Sequence, residues 1–484
     1  MSLPAANAHE YEELSGLTRA AVDYIRAVDA SDLTGEHLRL SRRCVLDGLA
    51  VSLGGSEQPG MEPLLRYIKA RSESGKARLF GVEGETSSAP LAALWLGTAG
   101  HAMDWDDTQL AEGPGRPYGL LMHPTMPPLA ASLCVADLVK QETGRPVDGQ
   151  SFLVAFAAGF EVGCKIAEAI NPNHYMRGMH TSGTIGVFAA AASAAKLLGL
   201  TATQTARAVG LAASMSAGVR ANFGTMTKPF HVGRAAENGV TAALLARDGF
   251  TANEEALDGR WGFLAVAGPG GEPELVSGKF GAPPTMTSPG VSIKPYPSGV
   301  LTHPSMDALK FLMSDEGIKA EEIEQITISA GSNVLGPIRF ERATTELEGK
   351  FCFQFLLAAI ALRGQAGKGE FTDAFVSSEN CQKMQSRIKT AFDEDIEAMG
   401  WDRIRSRINL TTKDGREFER WANEAYRGSP HNPLTDDQLE DKFRNCAAGL
   451  LNDAACQHVF DTVWQLENVA DIGVLFNLLE WKEQ

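Results

Sequence analysis

Apolar residues recur at helical spacing through most of the first half of the chain. This pattern predicts helices at Leu17–Val28, Leu38–Leu53, Ala89–Ala102, Pro128–Gln141, Ser151–Ile170, Thr184–Leu198, Thr203–Ser216 and Ala235–Asp248. Alanine and glycine dominate residues 155–165 and 184–215, and small side chains let helix axes approach closely. A tight bundle of helices is therefore expected. Alternating strand–helix–strand units are absent from the pattern, which excludes a doubly wound α/β fold.

The pattern changes after about residue 265. Residues 268–289 are rich in glycine and proline, which is typical of a linker or a domain edge. Beyond them, Gln325–Ala330 alternates as a strand does, and Arg405–Thr412 and Arg416–Trp421 flank an Asp-Gly turn as in a β-hairpin. Helices are predicted before the first of these strands, at Ser305–Ser314, and between the strands, at Phe351–Leu362 and Cys381–Thr390. This half is therefore expected to form an α+β layer.

Amphipathic helical spacing returns near the end of the chain, at Thr435–Leu451 and Asp453–Val469. We expect these helices to rejoin the bundle of the first half. The fold class predicted from the pattern is mainly α with an α+β part.

Charge and composition narrow the classes of function. The 484 residues include 44 Lys and Arg against 60 Asp and Glu, a formal charge of −16, which disfavours nucleic acid as a partner. No apolar run approaches the roughly 20 residues that cross a bilayer, and the first residues lack the pattern of a secretory signal. Seven scattered cysteines show no metal-binding spacing and are expected to be free thiols. A cytoplasmic protein that binds neither nucleic acid nor membrane is predicted.

The densest polar cluster follows the predicted helix Ala89–Ala102. Asp104, Asp106 and Asp107 lie within four residues, and Thr108 and His123 come after them. If the helix continues, Asp104, Asp107 and Thr108 share one face; the alternative is an acidic helix end in water. Asp104 is nearest to the apolar run and is expected to be buried, where a carboxylate needs a cation or a donor as partner.

Three further segments hold candidate chemistry. His180 precedes a Gly- and Thr-rich helix start, where backbone N–H groups attract carboxylates and a histidine can transfer protons. Lys228 lies in a predicted loop, residues 225–234, and Lys294 lies in a stiff Lys-Pro-Tyr-Pro segment with His303 close behind. The alternatives are a helix cap beside an ordinary histidine and solvated loop lysines.

Five segments together resemble the MmgE/PrpD family over nearly the whole chain. They are MDWDDT…HP, HTSGTIG, TKPFHVGRAAENG, KPYPSG with a following histidine, and GKFCFQFLLA. The family includes methylcitrate dehydratase, cis-aconitate decarboxylase and iminodisuccinate epimerase. The resemblance implies a large all-helical domain (residues 1–280 and 425–484), an inserted α+β lid domain (281–424) and a homodimer. It also implies chemistry on small polycarboxylates with neither cofactor nor metal.

The resemblance assigns the site as well. It implies catalytic roles for Asp104, His123, His180 and Lys228, and substrate binding by Thr108 and Lys294. We add three substrate-binding candidates: Arg116 and Tyr118, from the long loop between Thr108 and His123, and His303.

The machinery fits proton abstraction beside a carboxylate, with cations holding the charge that develops. The first expectation is a hydro-lyase of the methylcitrate dehydratase type. An epimerase or a decarboxylase using the same pocket is the alternative, and a non-catalytic helical binding protein is a further one.

Overall fold

Helices form most of the chain up to residue 267, as the apolar spacing predicts. The structure is a computed structural model that describes residues 16–72, 75, 77–109, 122–268 and 271–480. The helices of this part are α1 (Gly16–Ala27), α2 (Gly35–Ser56), α3 (Met61–Lys69), α4 (Ala89–Ala102), α5 (Met126–Thr143), α6 (Gly149–Ile170), α7 (Asn173–Met176), α8 (Thr181–Thr184), α9 (Gly186–Leu197), α10 (Ala202–Met215), α11 (Thr227–Arg247) and α12 (Phe263–Ala267). Four two-residue strands form two antiparallel pairs. β1 (Ala77–Arg78) pairs with the nearby β2 (Thr86–Ser87), whereas β3 (Thr108–Gln109) pairs with the distant β4 (Val291–Ser292).

One helix begins earlier than its apolar spacing indicates. Helix α11 starts at Thr227, so Lys228 belongs to its first turn and the predicted loop at residues 225–234 is wrong. Pro229 misled the prediction, because proline usually breaks a helix. In the first turn, however, its missing N–H has no intrahelical partner to lose. Lys228 and His231 consequently stand one turn apart on a rigid element.

Glycines let the central helices pack backbone against backbone. A Cβ atom built on Gly97 of α4 would lie 3.0 Å from the Cα of Gly233 in α11. One built on Gly239 of α11 would lie 2.4 Å from the Cβ of Ala190 and 2.7 Å from the carbonyl oxygen of Val187, both in α9. The expectation of close helix packing is thereby explained by particular positions.

The second half forms a four-stranded mixed sheet with helices around it. Its helices are α13 (His303–Glu316), α14 (Ser332–Leu335), α15 (Glu346–Gly349), α16 (Phe353–Arg363), α17 (Asp373–Val376), α18 (Glu379–Gln385) and α19 (Glu394–Ala398). Its strands are β5 (Ile323–Ala330), β6 (Ile388–Phe392), β7 (Ser406–Thr412) and β8 (Glu417–Trp421), in the order β6-β5-β7-β8. β5 and β6 run parallel, and the predicted hairpin is confirmed as β7 and β8.

The helix predicted at Cys381–Thr390 is wrong in its second part. Helix α18 ends at Gln385, and the chain then enters β6 at Ile388. Ile388 and Thr390 are β-branched, which favours a strand, and pairing with β5 gives the backbone groups on one side of β6 hydrogen-bond partners. Partners distant in sequence therefore override the local helical spacing.

The last three helices pack with the first half of the chain. Helices α20 (Asp436–Ala447), α21 (Asp453–Val463) and α22 (Val474–Leu479) contribute Phe443, Phe460 and Leu475 to the same apolar core as α2 and α4. A second core contains side chains from Tyr296 to Tyr426. The mainly α fold class with an α+β part is confirmed, and the domain boundaries at 280 and 425 stay predictions. Among the described residues, no helix has the length and hydropathy to cross a membrane.

The close contact of α11 with α9 generates a stability prediction. Gly239→Ala should lower the free energy of unfolding, because overpacking a helix contact costs about 1–3 kcal/mol. Urea unfolding followed by circular dichroism measures the change. The control is Gly278→Ala, because nothing lies within 4 Å of a Cβ at that position. Equal stability of the two variants would contradict the packing argument.

Candidate active site

A short strand pair brings two distant candidate segments together. Thr108 of β3 pairs with Ser292 of β4, and Lys294 follows two residues later. Helix α4 has already ended at Ala102, so Asp104, Asp107 and Thr108 do not share a helix face. The acidic cluster is also not a helix end in water, because all three aspartates are at most 3% exposed.

Asp104 has a left-handed backbone with φ of 53°, which no other non-glycine residue among those described adopts. In this conformation its carbonyl oxygen and its carboxylate Oδ1 both accept hydrogen bonds from Lys294 Nζ, at 2.9 and 2.8 Å. Lys228 Nζ lies 3.0 Å from the same Oδ1. Two ammonium groups from separate elements therefore converge on one buried carboxylate.

The charges of this cluster support one another. Burial alone would raise the pKa of Asp104, but the ammonium groups of Lys228 and Lys294 outweigh burial and hold it well below its ordinary value. Burial lowers the pKa of Lys228, and Asp104 opposes that shift. Asp104 is thus an ionised carboxylate in a desolvated place.

A cavity opens beside these ion pairs. Its lining residues are Asp104, Thr108, Met122, His123, Tyr175, His180, Thr181, Ser182, Phe223, Lys228, Lys294, Gly299, Val300, Leu301, Pro337, Ile338 and Phe351. The structure thus brings together six of the predicted site residues, those that the family resemblance implied. Three polar atoms of the lining are buried without a hydrogen-bond partner among the described residues, namely Thr108 Oγ1, Thr181 Oγ1 and His180 Nε2. A polar ligand would satisfy them.

The two cavity histidines are held in different ways. His123 Nδ1 lies 2.8 Å from the backbone oxygen of Asp107, which can only accept, so Nδ1 carries the proton and Nε2 is left with a lone pair. His123 Nε2 lies 3.7 Å from Asp104 Oδ1. Burial, together with the nearby ammonium groups, keeps the pKa of both His123 and His180 well below the ordinary value. Both imidazoles are therefore neutral near pH 7.

A supporting histidine was missed by the sequence reasoning. His101 lies at the end of α4 and its Nδ1 is 2.9 Å from the carboxylate of Asp106. The hydrogen on Nδ1 leaves Nε2 as an acceptor, 2.9 Å from Lys228 Nζ. Asp106 and His101 thus position Lys228 through two successive hydrogen bonds. The sequence contains one signal for this residue, because His101 precedes Asp104 by three residues and Asp106 by five, which places it close to both.

One predicted substrate-binding residue lies away from the cavity lining, and two others belong to a part of the chain that the structure does not describe. His303 is fully buried at the start of α13, with Nε2 3.2 Å from the Ser298 carbonyl oxygen, and it is not part of the cavity lining. Arg116 and Tyr118 lie outside the described residues.

His101, Asp104, Asp106 and His123 meet the geometric requirement for a metal site, because their donor atoms lie within 4.8 Å of one another. Their donor atoms, however, already have partners within the protein. Asp104 Oδ1 already binds two ammonium groups, and His101 lies between Asp106 and Lys228. Two positive charges at these distances repel a divalent cation. The two ammonium groups therefore compete with any metal for Asp104 Oδ1.

Comparison with known proteins identifies the family. The family model for the MmgE/PrpD N-terminal domain matches residues 19–276, and that for the MmgE/PrpD C-terminal domain matches residues 296–466. The chain belongs to the MmgE/PrpD family. The family assignment made from the five segments is thereby confirmed.

Curated relatives match over nearly their whole length. Cis-aconitate decarboxylase of Homo sapiens is 26% identical over 477 residues, covering 96% of this chain and 95% of the relative. That of Mus musculus is 27% identical, with 96% and 94% covered, and that of Aspergillus terreus is 25% identical, with 96% of both covered. These MmgE/PrpD relatives are lyases, and the prediction of an enzyme of the lyase class is confirmed.

A carboxylate beneath the cavity generates a prediction about pH. Asp107 is fully buried, and burial raises its pKa to about 8 although Thr125 donates two hydrogen bonds to it. The folded state therefore binds a proton that the unfolded state releases above its pKa of about 4. Through this group, stability is greatest below about pH 4 and falls as the pH rises towards 8.

Asp107→Asn should remove that loss. Relative to the unchanged protein, the variant should gain free energy of unfolding steadily between pH 5 and pH 8, as measured by urea unfolding at several pH values. The exposed Asp437 provides the control Asp437→Asn, which should keep the original slope. Parallel curves for Asp107→Asn and the unchanged protein would show that Asp107 is ionised in the folded state.

Proposed function

We propose that this protein is a cofactor-independent lyase that acts on a small di- or tricarboxylate. The observation that carries the proposal is the meeting of Lys228 and Lys294 at a single carboxylate oxygen of Asp104, at the wall of a cavity with unpartnered polar atoms. Two ammonium groups face one carboxylate at this wall, so a substrate carboxylate that enters the cavity can bind to them directly. Asp106 does not line the cavity and bonds to His101 instead.

The same cations would stabilise the reaction. When a bond beside a carboxylate breaks, negative charge moves onto the carboxylate oxygens, and each preorganised donor aimed at them is worth about 3–4 kcal/mol. Lys228 and Lys294 supply such donors in a desolvated place. Asp104 holds both ammonium groups in position, and Thr108 is free to bond a substrate oxygen through Oγ1.

Decarboxylation is the first candidate reaction, because the relatives that match nearly the whole chain are cis-aconitate decarboxylases. One C–C bond breaks, its electron pair moves into the remaining conjugated carboxylate, and CO₂ leaves. One proton then bonds to carbon, so the reaction consumes a proton overall. We assign its delivery to His180, whose Nε2 reaches the cavity wall: the negative charge of the bound substrate favours protonation of this ring from solvent, and the ring then passes the proton to carbon.

Elimination of water, which the sequence alone placed first, stays the second candidate. The observation that favours it is the unprotonated Nε2 of His123 at the cavity, set by the bond from Nδ1 to the Asp107 backbone. This atom can remove a proton beside a carboxylate, while His180, which the negative charge of the bound substrate allows to take up a proton, protonates the leaving hydroxyl. The homodimer and the cytoplasmic location also stay predictions.

A product assay decides between these reactions. The purified protein is incubated in D₂O with a panel of saturated, hydroxylated and unsaturated di- and tricarboxylates, and products are followed by NMR together with CO₂ release. CO₂ with one deuterium on carbon supports decarboxylation, and an alkene without CO₂ supports elimination. Deuterium exchange without either product indicates an epimerase. No turnover and no binding of any polycarboxylate would contradict the proposal.

The role of the two ammonium groups is tested by Lys228→Met. We expect kcat/KM to fall about 10²- to 10³-fold, because one preorganised donor is lost. Lys294 still neutralises Asp104, so the thermal midpoint should change far less than in a core truncation. Lys413→Met, at an exposed turn, is the control and should keep both properties. Retained activity in folded Lys228→Met protein would show that Lys228 has only a structural role.

A further inference from the structure

His180 has a second imidazole directly behind it. His180 Nδ1 lies 3.1 Å from Nδ1 of His231, which comes one turn after Lys228 on α11. His231 does not line the cavity, and its ring packs against Gly218 in a partly exposed segment, where a Cβ on that glycine would lie 3.4 Å from the ring. His180 itself is 3% exposed and presents Nε2, without a partner, to the cavity.

A contact between two Nδ1 atoms constrains both rings. Groups facing His180 are Lys228, His101, His123 and His231, and those facing His231 are His101, Lys228 and His180. Burial lowers the pKa of both histidines, and the neighbouring basic groups lower it further. The pKa of His231 falls to about 4. Both rings are therefore neutral, and a hydrogen bond between them needs one protonated Nδ1 and one bare Nδ1.

The two tautomers are consequently linked. If His231 Nδ1 donates, His180 carries its proton on Nε2 and offers a donor to the cavity. If His180 Nδ1 donates, its Nε2 is bare and offers an acceptor. Neither arrangement changes the charge of the pair.

We propose that His231 is a positioning residue that sets the tautomer and the ring orientation of His180, and thereby decides whether His180 offers the substrate a proton donor or an acceptor. The catalytic consequence of this inference rests on the proposed function. The tautomer of His180 does not depend on which reaction the protein catalyses. The positioning role also explains why one histidine of the motif TKPFHVG stands behind the cavity rather than in it.

The first test needs no substrate. The chain is labelled with ¹⁵N-histidine, and the His180 signals are assigned by their loss in His180→Gln. In the unchanged protein, Nδ1 and Nε2 of His180 should show the separate shifts of one fixed neutral tautomer. In His231→Leu the shifts should move towards the averaged values of two tautomers. An unchanged His180 spectrum in folded His231→Leu would overturn the proposal, whatever the enzyme's substrate.

The second test uses whichever substrate the product assay identifies. His231→Leu should lower kcat about 10- to 100-fold with little change in KM, as expected for a residue that orients a reacting group without touching substrate. His231→Asn can keep a hydrogen bond to His180 Nδ1 and should recover part of kcat. The pH profile of kcat should shift in the leucine variant.

The exposed His458 provides the matched control, because His458→Leu should change neither kcat nor the spectrum of His180. Equal kcat values for the leucine and asparagine variants, with an unshifted pH profile, would show that His231 only fills space. If no polycarboxylate is turned over but the tautomer shifts as expected, the proposed function fails and the positioning role stands.

Discussion

The site depends on one buried carboxylate that two ammonium groups share. Asp104 follows the end of α4, Lys228 lies in the first turn of α11, and Lys294 follows β4, so no local stretch of sequence can form this cluster. An isolated charge in such a desolvated place would be strongly unfavourable, and the mutual pairing makes it stable. The left-handed backbone of Asp104 is maintained because it turns two oxygens towards Lys294.

The neutral histidines follow from the same electrostatics. Ammonium groups close to buried imidazoles disfavour a further positive charge, and burial acts in the same direction. As neutral imidazoles, both rings can accept a proton or donate a hydrogen bond near neutral pH. Their roles are then decided by hydrogen bonds behind them, from the Asp107 backbone in one case and from His231 in the other.

Much of the architecture could be predicted from local patterns. Apolar spacing located most of the long helices, and alternation with an Asp-Gly turn located the hairpin β7–β8. The errors arise where distant contacts decide. The helix predicted at Cys381–Thr390 ends early because the residues after it pair with β5 as strand β6. Helix α11 includes Pro229 because N–H groups in the first helical turn have no intrahelical acceptor. Asp104, Lys228 and Lys294 could be singled out by residue type, but their common oxygen, the part of His101 and the absence of His303 from the cavity lining depend on tertiary geometry.

The two-residue pairing of β3 with β4 also gives the protein an order in biosynthesis. Asp104 and Lys228 leave the ribosome well before Lys294, and Phe351 of the cavity wall follows later still. A nascent chain that ends after α11 holds two of the three charged groups of the cluster, Asp104 and Lys228, and lacks part of the cavity wall. The complete active site therefore forms late in translation, after most helices of the first half have been synthesised.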